Sequence, residues 1–326
     1  MWKKLIMAAL LVVAGLVVTA TYLTPWPSVV VIRAIFDSGA RKAHQALEAK
    51  VPGDVRVAGG LSYDPHDPDA GFDIYRGRGA RANGPTIVWF HGGGFVSGRR
   101  GDVANYLKIL AGQGFTVVNV DYTIAPEAIY PTPIRQAHKA LAFLTANAAR
   151  LEINPRKMVL AGDSAGAQIA AQTAAMVSNP AYAAQVGIAP GAGPDQLAGA
   201  LLYCGVYDVT QLGKGGGIGG WFVSSARWAY SGKRDPAGDS LFATMSLTPY
   251  VTPKFPATFI SAGNHDPLGP QSLALASVLR RRGVRVTSLF FPENYQPALT
   301  HEFQFDLDGE AGKLALVRSV AWLNSL

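Results

Sequence analysis

The sequence predicts an α/β protein whose central sheet is mostly parallel and carries helices on both faces. From Pro85 to the C-terminus, short apolar runs alternate with helical patterns, which is typical of βαβ units. These runs lack the alternation of a sheet with one solvated face, so they indicate strands buried on both faces. The runs are TIVWF, FTVVNVDY, KMVLAGD, LAGALLYC, ATFISAG and VRVTSLFF.

Two regions do not follow this alternation of strands and helices. Residues 53–81 are rich in Gly, Asp and Pro, with short alternating pieces that are typical of antiparallel edge strands. Residues 205–255 contain clustered glycines followed by aromatic-rich segments, and they are too long for a simple strand-to-helix loop. We therefore predict a cap inserted into a main domain that spans residues 61–326.

A further helical segment, residues 25–60, precedes that domain. Pro25 and Pro27 interrupt any earlier helix, and residues 28–50 then carry apolar side chains at helical spacing. This helix either packs on the main domain or forms a lid or membrane-contacting helix. The residues themselves do not decide between these roles, and we group the segment with the cap.

Residues 1–24 have the pattern of a membrane anchor or signal peptide. Lys3 and Lys4 precede residues 5–23, which are uncharged. The length lies between a signal-peptide core and a full membrane span, and small residues before Tyr22 allow cleavage after Ala20. We expect the rest of the chain to be exported, either held by this segment at the membrane or released by cleavage.

The charge distribution argues against a nucleic-acid partner, and the cysteine content excludes an internal disulfide. The formal net charge is +7, but the first 50 residues hold six Lys/Arg against two Asp/Glu, and no basic stripe with interleaved aromatics follows. Nucleic acid is therefore not an expected partner. Cys204 is the single cysteine and lies in an apolar run, so we predict a buried hydrophobic side chain without a disulfide.

The chemistry centres on Ser164, in the motif GDSAG at residues 162–166. The motif joins a predicted strand to an alanine-rich helix, and a serine between two glycines at such a junction forms a nucleophile elbow. Gly162 and Gly166 permit the tight turn. The helix that begins at Ala165 directs free N–H groups and its positive dipole end towards an oxyanion.

A second glycine motif, HGGGF at residues 91–95, follows the strand TIVWF. Three glycines let the backbone turn its N–H groups towards Ser164, so we predict an oxyanion hole formed by Gly92, Gly93 and Gly94 together with Ala165. No lysine or G-x-G-x-x-G pattern follows, which argues against a phosphate-binding loop.

An activated serine also needs a base and an acid that orients the base. In this architecture the acid follows the serine in the chain and the histidine follows the acid. Asp266 comes directly after the strand ATFISAG, and His301 is the only histidine beyond it. Asp208, after the strand LAGALLYC, is the best rival for the orienting role.

These motifs resemble the bacterial hormone-sensitive-lipase-like serine esterases of the α/β-hydrolase superfamily. HGGGFVSG, DYTIAPE, GDSAG and HDPL occur in the order and spacing of that family, and His301 completes the set. The resemblance implies an α/β-hydrolase fold with a helical cap, no metal or cofactor, and Ser164, Asp266 and His301 as nucleophile, acid and base. The chain departs from the family pattern at Glu302, where glycine is usual, and at Gly269 and Ala167.

The resemblance also implies a function, the hydrolysis of short- to medium-chain acyl esters through an acyl-enzyme. The same site would suit an amidase or a deacetylase of small acylated metabolites or sugars. A non-catalytic hydrolase fold that only binds a ligand is the alternative from a different class, and the intact Ser164, Asp266 and His301 argue against it.

Overall fold

A computed structural model describes residues 2, 5–7, 19–81, 83–212 and 216–326. Residues 8–18, the centre of the predicted membrane segment, lie outside this set. Across the residues that the structure describes, we find no helix whose length and apolar character would allow it to cross a bilayer.

Eight strands form one sheet, which confirms the predicted fold class. Their order across the sheet is β1-β2-β4-β3-β5-β6-β7-β8, and only the β1–β2 and β2–β4 pairs are antiparallel. The strands are β1 (Arg56–Ser62), β2 (Gly71–Arg76), β3 (Thr86–Phe90), β4 (Thr116–Val120), β5 (Met158–Asp163), β6 (Leu197–Tyr203), β7 (Thr258–Ala262) and β8 (Val286–Phe290).

The α-helices lie on both faces of the sheet or in the connections that cover its edge. They are α1 (Trp26–Leu47), α2 (Arg100–Gly112), α3 (Thr132–Ala146), α4 (Ala165–Ser178), α5 (Pro180–Val186), α6 (Gly217–Ser231), α7 (Ser240–Ala243), α8 (Gly269–Arg281) and α9 (Glu310–Asn324). Side chains alternate between two buried clusters along each central strand. In β5, for example, Leu160 belongs to one cluster and Val159 to the other.

The sheet order determines where the functional loops meet. Strands β3, β5, β6, β7 and β8 are parallel, so their carboxyl ends lie along one edge of the sheet. In open sheets of this kind the binding crevice forms at that edge. The HGGGF loop follows β3 and the GDSAG turn follows β5, its direct neighbour, with Phe90 paired to Gly162.

Helix α1 and the inserted helix α6 lie over this edge. The rings of Phe36 and Phe222 are 5.1 Å apart, and Phe95 of the glycine loop stacks on Tyr230 at 4.2 Å. The structure thus brings the N-terminal segment and the insertion together, although their role as a cap over a substrate remains a prediction.

Candidate active site

Ser164 occupies a strained turn between β5 and α4. Its φ of 52° and ψ of −117° are unusual for a residue other than glycine. The flanking glycines make the turn possible, because a Cβ at Gly162 would lie 2.4 Å from the Gly166 carbonyl carbon, and one at Gly166 would lie 2.0 Å from the Phe90 oxygen. The Ser164 N–H donates to the backbone carbonyl oxygen of Tyr203 at 2.8 Å, which fixes the turn against β6.

The structure brings together the three predicted triad residues. The Ser164 hydroxyl lies 2.9 Å from His301 Nε2, and His301 Nδ1 lies 3.0 Å from both Asp266 oxygens. The Asp266 side chain is fully buried and also accepts the Leu268 N–H at 2.8 Å. With Nδ1–H donated to Asp266, Nε2 carries the lone pair that the Ser164 proton needs.

Asp208, the rival acid, is engaged elsewhere. It precedes a short 3₁₀ turn, where its side chain accepts the Thr210 N–H at 2.9 Å and the Gln211 side-chain amide at 2.8 Å. These bonds make Asp208 the N-terminal cap of the 3₁₀ turn. The structure does not place Asp208 against His301.

Cys204 is a neighbour of the triad that the sequence analysis missed. It is buried as predicted, but its sulfur, a ring nitrogen of His301 and an Asp266 oxygen lie within 4.8 Å of one another. These are donor types that could bind a metal, yet Asp266 and His301 are already hydrogen-bonded to each other, so we interpret the cluster as part of the triad network. Burial raises the pKa of the Cys204 thiol, which therefore stays protonated.

The electrostatics of the site favour the charged form of His301. Burial alone would lower the pKa of His301, but the neighbouring Cys204 sulfur, the Asp266 carboxylate and Glu302 outweigh it and raise the pKa well above 6.5. Because the Cys204 thiol is neutral, we attribute the effect chiefly to the two carboxylates. Such an imidazole is a strong proton acceptor once it is neutral.

The backbone conformation of the HGGGF loop requires its glycines. Gly93 and Gly94 have φ values of 115° and 61°, and a Cβ at Gly93 would lie 2.1 Å from the Ser97 oxygen. Within the described part of the chain, the N–H groups of Gly93, Gly94 and Ala165 have no hydrogen-bond acceptor. They are therefore free to donate to a ligand.

A buried carboxyl group lies close to Gly92, which the sequence groups with the oxyanion donors. The Gly92 amide interacts with the carboxyl group of Asp163, and a Cβ at this position would lie 2.2 Å from Asp163 Oδ2. Asp163 also accepts the Trp89 indole N–H at 2.9 Å. Gly93, Gly94 and Ala165 are therefore the more accessible of the four predicted donors, and the oxyanion hole itself stays a prediction.

His91 supports the glycine loop through stacking and hydrogen bonding. The ring is buried, stacks on Tyr122 at 4.3 Å and lies with Nδ1 2.7 Å from the Gly92 oxygen. Tyr122 in turn donates its hydroxyl to the His91 oxygen at 2.7 Å. Burial lowers the pKa of His91, so the ring is neutral and serves the loop rather than the proton transfer.

Glu302, the unusual neighbour of His301, adopts a left-handed conformation with φ 61°. This conformation suits glycine, which explains why a family with this turn usually has glycine there. The Glu302 carboxylate lies 3.8 Å from His301 Nε2, and its side chain is 37% exposed. It also lies close to the buried Asp163, where burial and then Glu302 raise the pKa of Asp163 well above 3.8.

A pH profile tests the influence of Glu302. Only neutral His301 accepts the Ser164 proton, so kcat/KM should rise with pH through the raised His301 pKa. Glu302→Gln removes one of the charges that raise this pKa, so the acid limb of the profile should move to lower pH. Asp306→Asn, a carboxylate change a few residues away, is the control. An unchanged acid limb in Glu302→Gln would contradict this role.

A serine in a strand-to-helix elbow, a neighbouring glycine loop and a late histidine on a parallel sheet define a protein of the α/β-hydrolase class. A family model described as alpha/beta hydrolase fold matches residues 87–300. The chain belongs to this family, which confirms the family predicted from the motifs.

Curated relatives are similar to this chain in sequence over a short segment only, whereas solved structures are similar to it along most of its length. An AB hydrolase superfamily protein of Schizosaccharomyces pombe is 41% identical over 101 residues, 30% of this chain and 30% of that protein. An acetyl esterase of Salmonella paratyphi B is 34% identical over 90 residues, 27% of this chain and 28% of that protein. The matched segments thus span less than a third of these curated relatives.

Among solved structures, esterase B from Lactobacillus rhamnosis is similar with a TM-score of 0.76 and 22% sequence identity. The similarity covers 92% of this chain and 96% of that chain. At this identity the similarity shows the shared fold.

Proposed function

We propose that this protein is a serine carboxylesterase that hydrolyses acyl esters through an acyl-enzyme. One observation carries the proposal: the continuous hydrogen-bonded path from the Ser164 hydroxyl through His301 to the buried Asp266. The names of the acetyl esterase relative and of the structurally similar esterase B support it.

The reaction follows from the roles of these groups. His301 Nε2 takes the Ser164 proton as Oγ attacks the ester carbonyl carbon, and Asp266 stabilises the imidazolium that forms. The oxygen of the tetrahedral intermediate receives N–H bonds from Gly93, Gly94 and Ala165. The C–O bond to the alcohol then breaks, and His301 donates the proton to the departing oxygen. Water, deprotonated by the same histidine, attacks the acyl-enzyme and releases the acid and Ser164.

We propose a preference for short acyl chains, about C2 to C8, because large side chains lie close to the glycine loop. A Cβ at Gly94 would lie 2.8 Å from the Phe222 ring, and Phe222 packs on Phe36. Two names among the comparisons agree with a short chain: acetyl esterase, and esterase B solved with a tributyrin phosphonate inhibitor.

A panel of p-nitrophenyl esters of increasing chain length tests both proposals. Turnover should be highest for an ester of about C2 to C8 and should fall for longer chains. Phe222→Ala removes a large ring beside the loop and should move the optimum to a longer chain, whereas Leu241→Ala on the exposed surface of α7 should not. A long-chain triglyceride as best substrate would contradict the chain-length proposal, and the absence of turnover for every ester would contradict the esterase itself.

We also propose that the protein is exported and that its N-terminal segment holds it at a membrane, or is cleaved after Ala20. The support is the sequence pattern of Lys3 and Lys4 before an uncharged stretch. Reporter fusions joined after Lys50 should be active only for reporters that work outside the cytoplasm. Removal of residues 1–24 should leave an active enzyme, because every proposed catalytic residue lies beyond them. Activity of a cytosolic reporter would contradict the topology.

A further inference from the structure

The outward side of helix α1 is apolar over its first turns. Val29 and Ile32 are buried and point inward, while the opposite side of the helix lies in solvent. We define the apolar cap face as the exposed apolar side chains of this side together with those at the start of the neighbouring α6. Its members are Leu23 (76% exposed), Trp26 (41%), Val30 (58%), Val31 (49%), Ile35 (58%), Ile218 (82%) and Trp221 (38%).

The two helices hold this face as one rigid surface. At one end Phe36 packs on Phe222. At the other end the Arg234 guanidinium lies 4.8 Å from the centre of the Tyr22 ring and 5.5 Å from that of Trp228, which ties the residues before α1 to the end of α6. The surface is therefore preformed rather than assembled on binding.

This concentration is unusual for a protein surface. Single exposed apolar side chains are normal, and Leu273 on α8, at 53% exposure, is such a case. Several exposed apolar side chains, two of them tryptophans, on two helices that pack together instead mark a surface that contacts a protein or a membrane.

We propose that the apolar cap face lies on a lipid surface. Two observations select lipid over a protein partner. The face begins at Leu23, the last residue of the uncharged stretch 5–23, so the surface continues directly from the segment with the pattern of a membrane anchor. The outward side of α1 also changes from apolar to basic at Arg41 and Lys42, which are exposed and have no ion pair among the described residues. Basic side chains at the border of an apolar helix face suit anionic headgroups.

The contact with lipid holds the proposed esterase at the membrane and also orients its active site relative to the lipid surface. Phe222 belongs to the same helix as the face and lies against the oxyanion loop. The lipid surface therefore lies beside the covered edge of the site, and esters dissolved in the bilayer reach it without first crossing water. This consequence for the substrate rests on the proposed function, whereas the contact with lipid does not.

Environment-sensitive fluorescence tests the contact without reference to activity. Ile35→Cys and Leu273→Cys in the full-length protein are labelled with NBD and reconstituted into vesicles of phosphatidylethanolamine and phosphatidylglycerol. Cys204 is buried, and unlabelled wild type is carried through the same reaction to correct for it. We expect a blue-shifted emission and quenching by spin-labelled lipid at position 35 only. A water-like emission at both positions overturns the proposal, as does a concentration-dependent blue shift at position 35 without vesicles, which indicates a second copy on the face.

Activity provides a second readout. The double variant Val30→Asp/Ile35→Asp changes only exposed positions, so turnover of p-nitrophenyl acetate should stay within about twofold. Turnover of an ester dissolved in anionic vesicles should fall by about tenfold, because two negative charges are repelled by the surface. Leu273→Asp should change neither. Equal turnover of the vesicle ester by the double variant and by wild type overturns the proposal. If wild type does not hydrolyse p-nitrophenyl acetate, that result contradicts the esterase assignment alone.

Discussion

Ser164→Ala is expected to reduce ester hydrolysis by about 10⁶-fold while leaving the protein folded. The change removes the oxygen that lies 2.9 Å from His301 Nε2, so no acyl-enzyme can form on this residue. The fold should tolerate the change because alanine differs from serine only by the hydroxyl, whose hydrogen bond is to the catalytic His301, and the positive φ is the same for both residues. The measurement is kcat with the best p-nitrophenyl ester, together with labelling by a fluorophosphonate, which should disappear.

Ser178→Ala is the matched control for this experiment. Ser178 is also buried and lies at the end of the same helix α4, where its hydroxyl donates to the Ala174 oxygen at 2.9 Å. Turnover and labelling should both persist in this variant. If Ser164→Ala kept near-wild-type turnover, the proposed nucleophile would be wrong.

Asp266→Asn is expected to reduce kcat by about 10³- to 10⁴-fold, the size of the effect for a comparable change in a serine protease. The amide has nearly the shape of the carboxylate, but it can hold His301 in the tautomer whose Nε2 carries the proton. That tautomer cannot accept the Ser164 proton. The loss should appear in kcat, since none of the proposed contacts with substrate involves Asp266.

Asp208→Asn provides the comparison that decides between the two acids. Asp208 caps a short turn and is not in contact with His301, so kcat should stay within about tenfold of wild type. Both variants should first be shown to be folded by circular dichroism. An inactive Asp208→Asn beside an active Asp266→Asn would reverse the assignment of the acid, although Ser164 and His301 could remain.

Local patterns were sufficient to predict the sheet and the three residues that meet at its edge. Apolar runs of strand length and glycine-bounded turns depend only on neighbouring residues, so the strand positions and the elbow at Ser164 could be predicted from the sequence. Asp266 and His301 could be identified because the acid and then the histidine follow the serine in this architecture, and Asp266 comes directly after a predicted strand.

Features that depend on contacts between distant segments could not be predicted. Cys204 lies in an apolar run, and nothing in that run indicates that its sulfur faces the triad. The interaction of Asp163 with the Gly92 amide depends on the register of β3 against β5. The exposed apolar side of α1 likewise became visible only when packing had fixed which side of the helix is buried.

The separation of the triad along the chain has a consequence for when the protein becomes active. Ser164 and His301 are 137 positions apart, and His301 comes after the last strand of the sheet. During synthesis the nucleophile, the glycine loop and most of the sheet emerge before the base exists, so a nascent or C-terminally truncated chain has no proton acceptor for the serine. We therefore expect the proposed hydrolysis only from a chain whose whole domain has been made and folded. If the proposed export precedes folding, the chain does not hydrolyse the esters of the cell that made it.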